Sequence, residues 1–137
     1  MGVSVEQALE FIAGNSRTVL VTRRRDGSLQ LSPVNSGVLG GAVVISSRLP
    51  LAKVKNLQRD ATATVLVMTE QFYGDWVQVD GTVEIVDQTQ PGTVDLLVDV
   101  YRAISGEHPN WDEYRAAMVT DERVVIRIHP ERATGQL

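Results

Sequence analysis

The chain has 137 residues, of which 43% are hydrophobic and 22% charged, with a formal net charge of −4 and no cysteine. This composition is typical of one globular domain that buries its own core, and it excludes disulfides and thiolate metal sites. Because no apolar run approaches the ~20 residues that cross a bilayer and no signal pattern opens the chain, we expect a single domain over 1–137, no membrane segment and a cytoplasmic location.

The charge is unevenly distributed along the chain. Residues 1–59 hold eight Lys and Arg against three Asp and Glu, whereas residues 60–137 hold five against fourteen. No carboxylate occurs between Gly27 and Arg59. A basic segment in an otherwise acidic protein favours a small anionic ligand over nucleic acid. We therefore expect a small-molecule partner and no nucleic acid.

The N-terminal segment predicts a helix followed by a strand. Ser4 and Gln7 have the spacing of a capping box, and Gly14 stands where the apolar helical face ends. Residues 17–24 are rich in β-branched side chains and predict the first strand, which the Asp26-Gly27 turn closes.

A β-hairpin is predicted next. Residues 29–39 form its first strand and residues 42–46 its second, joined at Gly40-Gly41. Pro33 cannot donate a ladder hydrogen bond, so we expect its strand to lie at a sheet edge or to carry a bulge.

The stretch Ser46–Arg59 predicts the end of a strand, a polar turn and a short helix with Pro50 at its first position. Arg48 and Lys53 flank the helix N-terminus, where the macrodipole already supplies positive potential. Serine hydroxyls, free amides and two cations make this a candidate phosphate or carboxylate site. A solvated basic helix on the surface is the alternative.

The second half of the chain supplies three more strands and two helices. Residues 61–68 and 75–86 alternate in polarity as strands do, and the latter register puts Trp76 on the polar face, either under another segment or free for a ligand. Helices follow over 94–104 and after Asn110, and residues 123–129 form the last strand. Six antiparallel strands with short flanking helices predict a mainly β, α+β fold, a small closed or split β-barrel.

No catalytic group of the protein's own stands out. His108 and His129 are far apart, each precedes a proline, and neither has a second ligand at metal spacing, so we predict no metal site. Neither a hydrolase nucleophile motif nor a dinucleotide glycine fingerprint occurs. We therefore assign no catalytic residue, and any redox chemistry would belong to a bound cofactor.

The order of segments resembles the split β-barrel flavin and deazaflavin reductases. The similar segments are Arg23–Val34, Ala52–Asp60 and Gly106–Val125, and the last of these is similar to actinobacterial F420-dependent reductases related to pyridoxamine 5′-phosphate oxidase. The resemblance spans nearly the whole chain. It implies a split β-barrel, a homodimer with two equivalent interface sites, coenzyme F420 as cofactor, and hydride transfer to an electron-poor double bond of a small organic substrate.

The resemblance also implies cofactor-binding residues. Lys53 and Asn56 would bind the phosphate, and Ser46, Ser47 and Arg48 the phosphate or the glutamate tail. Gln30 and Ser32 would line the deazaflavin ring. Trp76 and Tyr73 of the partner subunit would form the wall of the pocket. Lys55 and Arg59 are expected to be bystanders.

Two departures from the family pattern keep alternatives open. Related chains often carry a basic residue where this one has Leu51, and Arg48 is expected to substitute for it. The chain also lacks the C-terminal arginine-rich substrate motif of true pyridoxamine phosphate oxidases. The alternatives are an FMN-binding oxidoreductase on the same barrel and a non-enzymatic F420 carrier or sensor.

Overall fold

The computed structural model describes residues 2–137 as four helices and seven strands. In chain order these elements are α1 (Val5–Gly14), β1 (Arg17–Arg23), β2 (Leu29–Asn35), β3 (Gly37–Leu39), β4 (Ala42–Arg48), α2 (Ala52–Arg59), β5 (Thr62–Met68), β6 (Trp76–Val86), α3 (Thr93–Ser105), α4 (Trp111–Thr120) and β7 (Arg123–Gln136). In this part of the chain no helix is both long and apolar enough to span a membrane.

The strands form one antiparallel sheet in the order β2-β1-β5-β6-β7-β4-β3. Because β2 and β3 are consecutive in the chain yet stand at opposite ends of this order, the sheet curls until its ends meet. The fold is therefore mainly β with flanking helices, as the split-barrel prediction requires. Pro33 lies in β2 at the end of the order, so the predicted edge position is confirmed.

The structure has seven strands where six were predicted, and the difference arises at Ser36. The residues expected to form one strand, 29–39, divide there into β2 and β3. The Ser36 amide donates to the carbonyl of Ser16 at 3.0 Å, and its buried hydroxyl lies 2.6 Å from the Thr18 hydroxyl. These bonds fix the chain where it passes from one end of the sheet to the other.

Two apolar clusters hold the fold together. The inner face of the curled sheet buries alternate residues of its strands, with Ala8 and Ile12 of α1 and Val54 and Leu57 of α2 packed among them. The second cluster lies between the outer face of β4 and β7 and the two C-terminal helices; it contains Val44, Val125, Leu97, Val98, Tyr114 and Met118. Helices thus cover only one part of the outer face.

Two helices start where the sequence predicts, and a third starts at a different residue. Ser4 and Gln7 form the predicted capping box, and the Asn110 side chain accepts from the Glu113 amide at 3.1 Å. Pro50 is not the first residue of α2, so that prediction was wrong. The Leu51 amide donates to the Arg48 carbonyl at 3.2 Å and closes a turn that contains Pro50, and the helix begins at Ala52.

The last strand is longer than predicted because of a bulge. β7 continues to Gln136 instead of ending at His129, and the register with β6 shifts between Asp80 and Gly81. Pro130 has no amide to contribute and lies at this irregularity, opposite Gly81. A Cβ atom at Gly81 would lie 2.3 Å from the His129 carbonyl oxygen, so only glycine fits this approach.

Candidate functional site

Asn56 is the centre of a hydrogen-bonded group that joins α2 to β1 and β2. Its Nδ2 donates to Thr22 Oγ1 at 3.1 Å and to Gln30 Oε1 at 2.7 Å, and Thr22 lies opposite Gln30 in the sheet. Its Oδ1 accepts from Arg59 at 3.0 Å. A guanidinium only donates, so the atom facing Arg59 must be the oxygen, which fixes the amide orientation.

This group changes the roles expected of two residues. Both hydrogens of the Asn56 Nδ2 are used within the protein, so Asn56 orients α2 and has no free N–H to offer a phosphate. Arg59, expected to be a bystander at the anion site, has a structural role, because it also donates to the Arg23 carbonyl at 2.8 Å and so holds the helix end against β1. Within residues 2–137 Gln30 serves only as an acceptor in this group, and its own amide hydrogens have no acceptor.

Lys53 stands at the start of α2, on the helix face of Asn56 one turn earlier. No side chain caps the helix, and its first turn contains no carboxylate. The Val54 and Lys55 amides both donate to the Leu51 carbonyl, at 3.1 Å each. Within residues 2–137, Lys53 is half-buried and forms no ion pair, whereas Lys55 is exposed. The result is a concentration of positive potential without a counter-charge.

The end of β4 divides the predicted serine and arginine group. Successive strand residues point to opposite faces, so Ser47 follows Val43 and Ile45 toward the inner cluster, whereas Ser46 and Arg48 share the outer face with Val44. The three side chains therefore do not meet at one point. Within the described chain the buried hydroxyl of Ser47 has no hydrogen-bond partner, and neither has that of Ser32 on β2.

Tyr73 and Trp76 lie in a different region from α2. Trp76 is half-buried on the outer face of the sheet, between Met68 of β5 and Gln136 of β7. Tyr73 is 96% exposed in the loop before it, and the neighbouring Phe72 is 77% exposed. The two exposed rings meet edge to face at 5.1 Å. Phe72 was not predicted as a site residue, although its position next to Tyr73 in a loop could have indicated a pair of exposed aromatic rings.

Two concavities indent the outer face of β1, β2, β5 and β6. The larger, of about 790 Å³, is lined by residues that include Val21, Leu29, Thr64, Gln78, Asp80 and Arg132. The smaller, of about 400 Å³, lies beside Val19, Pro33 and Met68. None of the predicted cofactor residues lines either one. Sequence reasoning missed this surface, because its lining combines residues of five strands that are distant in sequence.

A polar group organises the larger concavity. Asp80 accepts hydrogen bonds from Thr64 at 2.7 Å, from Gln78 at 3.2 Å and from Arg132 at 2.7 and 3.0 Å. Partial burial raises the pKa of Asp80, but these hydrogen bonds together outweigh it and leave the pKa below its usual value. Asp80 is therefore a fixed anion on this face.

A family comparison adds to this geometry. A sequence model of pyridoxamine 5′-phosphate oxidase matches residues 4–137, almost the whole chain. The chain belongs to the pyridoxamine 5′-phosphate oxidase family. The curled antiparallel sheet is the fold expected of it.

Several solved structures are similar in fold to this family member. A conserved hypothetical protein, Rv2991 from Mycobacterium tuberculosis, has 21% identity over 95% of this chain and 82% of its own, with a TM-score of 0.75. A structure described as an F420 reductase has 19% identity over 88% and 90%, with a TM-score of 0.67. HutZ, the heme storage protein from Vibrio cholerae, has 10% identity over 96% and 95%, with a TM-score of 0.69. At these identities the likeness shows the fold alone.

The two histidines of this family member differ in their surroundings, since His108 packs against aromatic rings and His129 is exposed. His108 contacts the rings of Tyr101, Trp111 and Tyr114, and its Nδ1 accepts from the Asn110 amide at 2.9 Å. His129 lies on β7 with its Nε2 3.3 Å from the Glu84 carboxylate. Among residues 2–137 no group of three or more His, Cys, Asp or Glu side chains is arranged to hold a metal ion.

Proposed function

We propose that the protein is a homodimeric, coenzyme F420-dependent reductase that transfers a hydride from the reduced deazaflavin to an electron-poor double bond of a small organic substrate. The observation that carries this proposal is the start of α2, where Lys53 adds a cation to an uncapped helix end with no carboxylate in the first turn. Such a helix end suits a phosphate group. The similarity to an F420 reductase structure supports the choice of cofactor.

The donor set at this site fits a phosphate-bearing cofactor. Lys53 would hold the phosphate together with the first amides of α2, and the unpartnered hydroxyls of Ser32 and Ser47 are buried donors that water or a ligand would satisfy. Ser46 and Arg48, on the other face of β4, would reach the glutamate tail. Asn56 supports the site indirectly, since its amide fixes the position of the helix.

Gln30 is the residue best placed to orient the ring. Asn56 occupies its Oε1, which fixes the side chain and leaves the Nε2 hydrogens to donate to a ring carbonyl. The deazaflavin supplies the hydride when bound, so the protein needs to orient two molecules and exclude water, and no catalytic base is assigned.

The homodimer part of the proposal rests on the part of the outer sheet face that no helix of the described residues covers. Leu31, 61% exposed, and Leu29, 48% exposed, stand on this face beside the half-buried Val19, Val21 and Leu66. Contiguous apolar surface of this kind is typical of a protein interface. A second copy would cover it, and its Trp76 and Tyr73 would wall the cofactor pocket.

The test compares two lysines of the same helix. We expect Lys53→Glu to weaken F420 binding by about 100-fold, because a carboxylate would replace the half-buried cation beside the phosphate, whereas exposed Lys55→Glu should change binding less than about threefold. Binding is measured by titration of F420 fluorescence. Equal losses in the two variants would show that α2 acts only as a diffuse positive surface and would contradict the proposed phosphate site.

FMN is the second candidate cofactor, because the family match is to pyridoxamine 5′-phosphate oxidase and the same donors suit a flavin phosphate. Titration with FMN separates the two. Micromolar binding of FMN with no binding of F420 would replace the proposed reductase by a flavin oxidoreductase. F420 binding without reduction of any enone or tetrapyrrole-type acceptor would instead indicate a carrier or sensor.

A further inference from the structure

Arg48 and Arg123 stand directly opposite each other in the sheet. β4 pairs antiparallel with β7, and Arg48 is the register partner of Arg123. Directly opposite residues project from the same face with their Cβ atoms ~5 Å apart, and like charges in that position repel. Both arginines lie on the face of Val44 and Val125, the face that α3 and α4 cover.

Carboxylates do not neutralise this pair. Within residues 2–137 neither arginine has a carboxylate oxygen within 4 Å, whereas Arg127, on the same face of β7 four residues later, pairs with Glu84 at 3.1 Å. The Nε of Arg123 is buried and has no acceptor in this part of the chain. A buried guanidinium N–H without an acceptor is costly, and water or a bound group would satisfy it.

Among residues 2–137 the neighbours of Arg123 hold its backbone, and none of them accepts from its Nε. The Gln88 Nε2 donates to the carbonyls of Arg123 at 3.0 Å and Met118 at 3.3 Å, which fixes the start of β7 against the end of α4. Burial raises the pKa of Tyr114, and the nearby Arg123 charge offsets only part of this rise. The Tyr114 hydroxyl donates to the Leu97 carbonyl at 3.0 Å. Asp121 and Glu122 precede Arg123, are exposed, and form no ion pair within the part of the chain that the structure describes.

We infer that Arg48 and Arg123 together bind an oxyanion, a phosphate or carboxylate group, at the edge of the helix-covered face. Two guanidinium groups side by side offer planar donors that match either oxyanion. Arg123 is the new residue, since the proposed function assigns only Arg48 to an anion. The inference extends that function, but its test needs no F420.

The test is calorimetric titration with inorganic phosphate at constant ionic strength, using chloride as the replacement. The background is Lys53→Gln, which removes the cation of the proposed cofactor phosphate site. We expect phosphate to bind in this background and its affinity to fall at least tenfold when Arg123→Gln or Arg48→Gln is added. Added Arg127→Gln is the matched control, on the same strand and face, and should leave the affinity unchanged within about twofold.

A second arm of the experiment identifies the anion. Glutarate replaces phosphate in the same titration, so tighter binding of glutarate assigns the pair to carboxylates and tighter binding of phosphate assigns it to phosphoryl groups. Unchanged affinity in both arginine variants, or loss in the Arg127→Gln control as well, would overturn the inference. If Arg123→Gln does not fold, the phosphate affinity of Arg48→Gln alone decides the inference, because Arg48 is exposed. If Lys53→Glu loses F420 binding while phosphate still binds at Arg48 and Arg123, the cofactor site and the proposed oxyanion site are distinguished.

Discussion

The outer surface of the sheet is built in two contrasting ways. Over β4 and the first half of β7 the outward side chains include Val44 and Val125, and α3 and α4 bury these two valines completely. Over β1, β2, β5 and the first half of β6 about half of the outward positions are apolar, yet no helix of residues 2–137 covers them. The covered part forms a second core, and the uncovered part forms the two concavities.

The contrast separates a part of the sheet that packs within the chain from a part on which the proposed partner subunit would pack. The covered part has well-packed aromatic and aliphatic contacts, and its exception is the pair of unneutralised arginines at its edge. The uncovered part has ordered polar groups such as Asp80 and exposed rings such as Phe72, which suit a macromolecular surface. The proposed dimer contact and the proposed anion site therefore fall on opposite parts of one sheet.

The largest effect should come from Gly81, where β6 passes from the uncovered part to the covered part. Gly81→Ala would place a Cβ atom 2.3 Å from the His129 carbonyl oxygen, and backbone at this bulge cannot move without breaking the β6–β7 ladder. We expect a loss of about 3 kcal/mol in the free energy of unfolding, measured by urea denaturation.

Gly14→Ala is the control for Gly81→Ala. Gly14 ends α1, and a Cβ atom there would have no other atom within 4 Å. Its free energy of unfolding should not fall. A Gly81→Ala protein as stable as Gly14→Ala would show that the bulge is not rigid.

The next effect tests the uncovered face directly. Leu31→Asp would place a carboxylate on the proposed interface, so we expect the dimer dissociation constant to rise on the order of 100-fold. Val119 is a matched control, because it is 56% exposed on α4, on the covered side. Sedimentation equilibrium should show dissociation for Leu31→Asp and none for Val119→Asp. Dissociation in both, or in neither, would contradict the proposed interface.

The smallest effect concerns the pH dependence of stability on the uncovered face. Because the folded-state pKa of Asp80 is lowered, its contribution is present above the unfolded-state value of ~3.9 and is lost as the pH falls through the folded pKa. We expect Asp80→Asn to lose less stability than the wild type between pH 7 and pH 2, measured by urea denaturation. Asp99→Asn, an exposed position on α3, should follow the wild type. Parallel curves for Asp80→Asn and the wild type would show that the carboxylate is not held by its neighbours.

Local sequence signals predicted the elements of this fold because each signal acts within a few residues. The Ser4–Gln7 capping box, the Asn110 cap, the edge position of Pro33 and the alternation along β6 all appear in the structure. The segment order also indicated the family, which the match over residues 4–137 shows. The basic, carboxylate-free start of α2 was equally visible, since charge is a property of composition.

Tertiary structure decided everything that depends on which strands are neighbours. The division of one predicted strand at Ser36, the extension of β7 past His129, the use of both Asn56 amide hydrogens by Thr22 and Gln30, and the opposition of Arg48 and Arg123 all join residues distant in sequence. Sheet order and register set these contacts, and they are fixed by the burial of whole faces. The sequence therefore determined the helices, most of the strands and the site of positive charge, whereas only the curled sheet determined which donors remain free to bind a ligand.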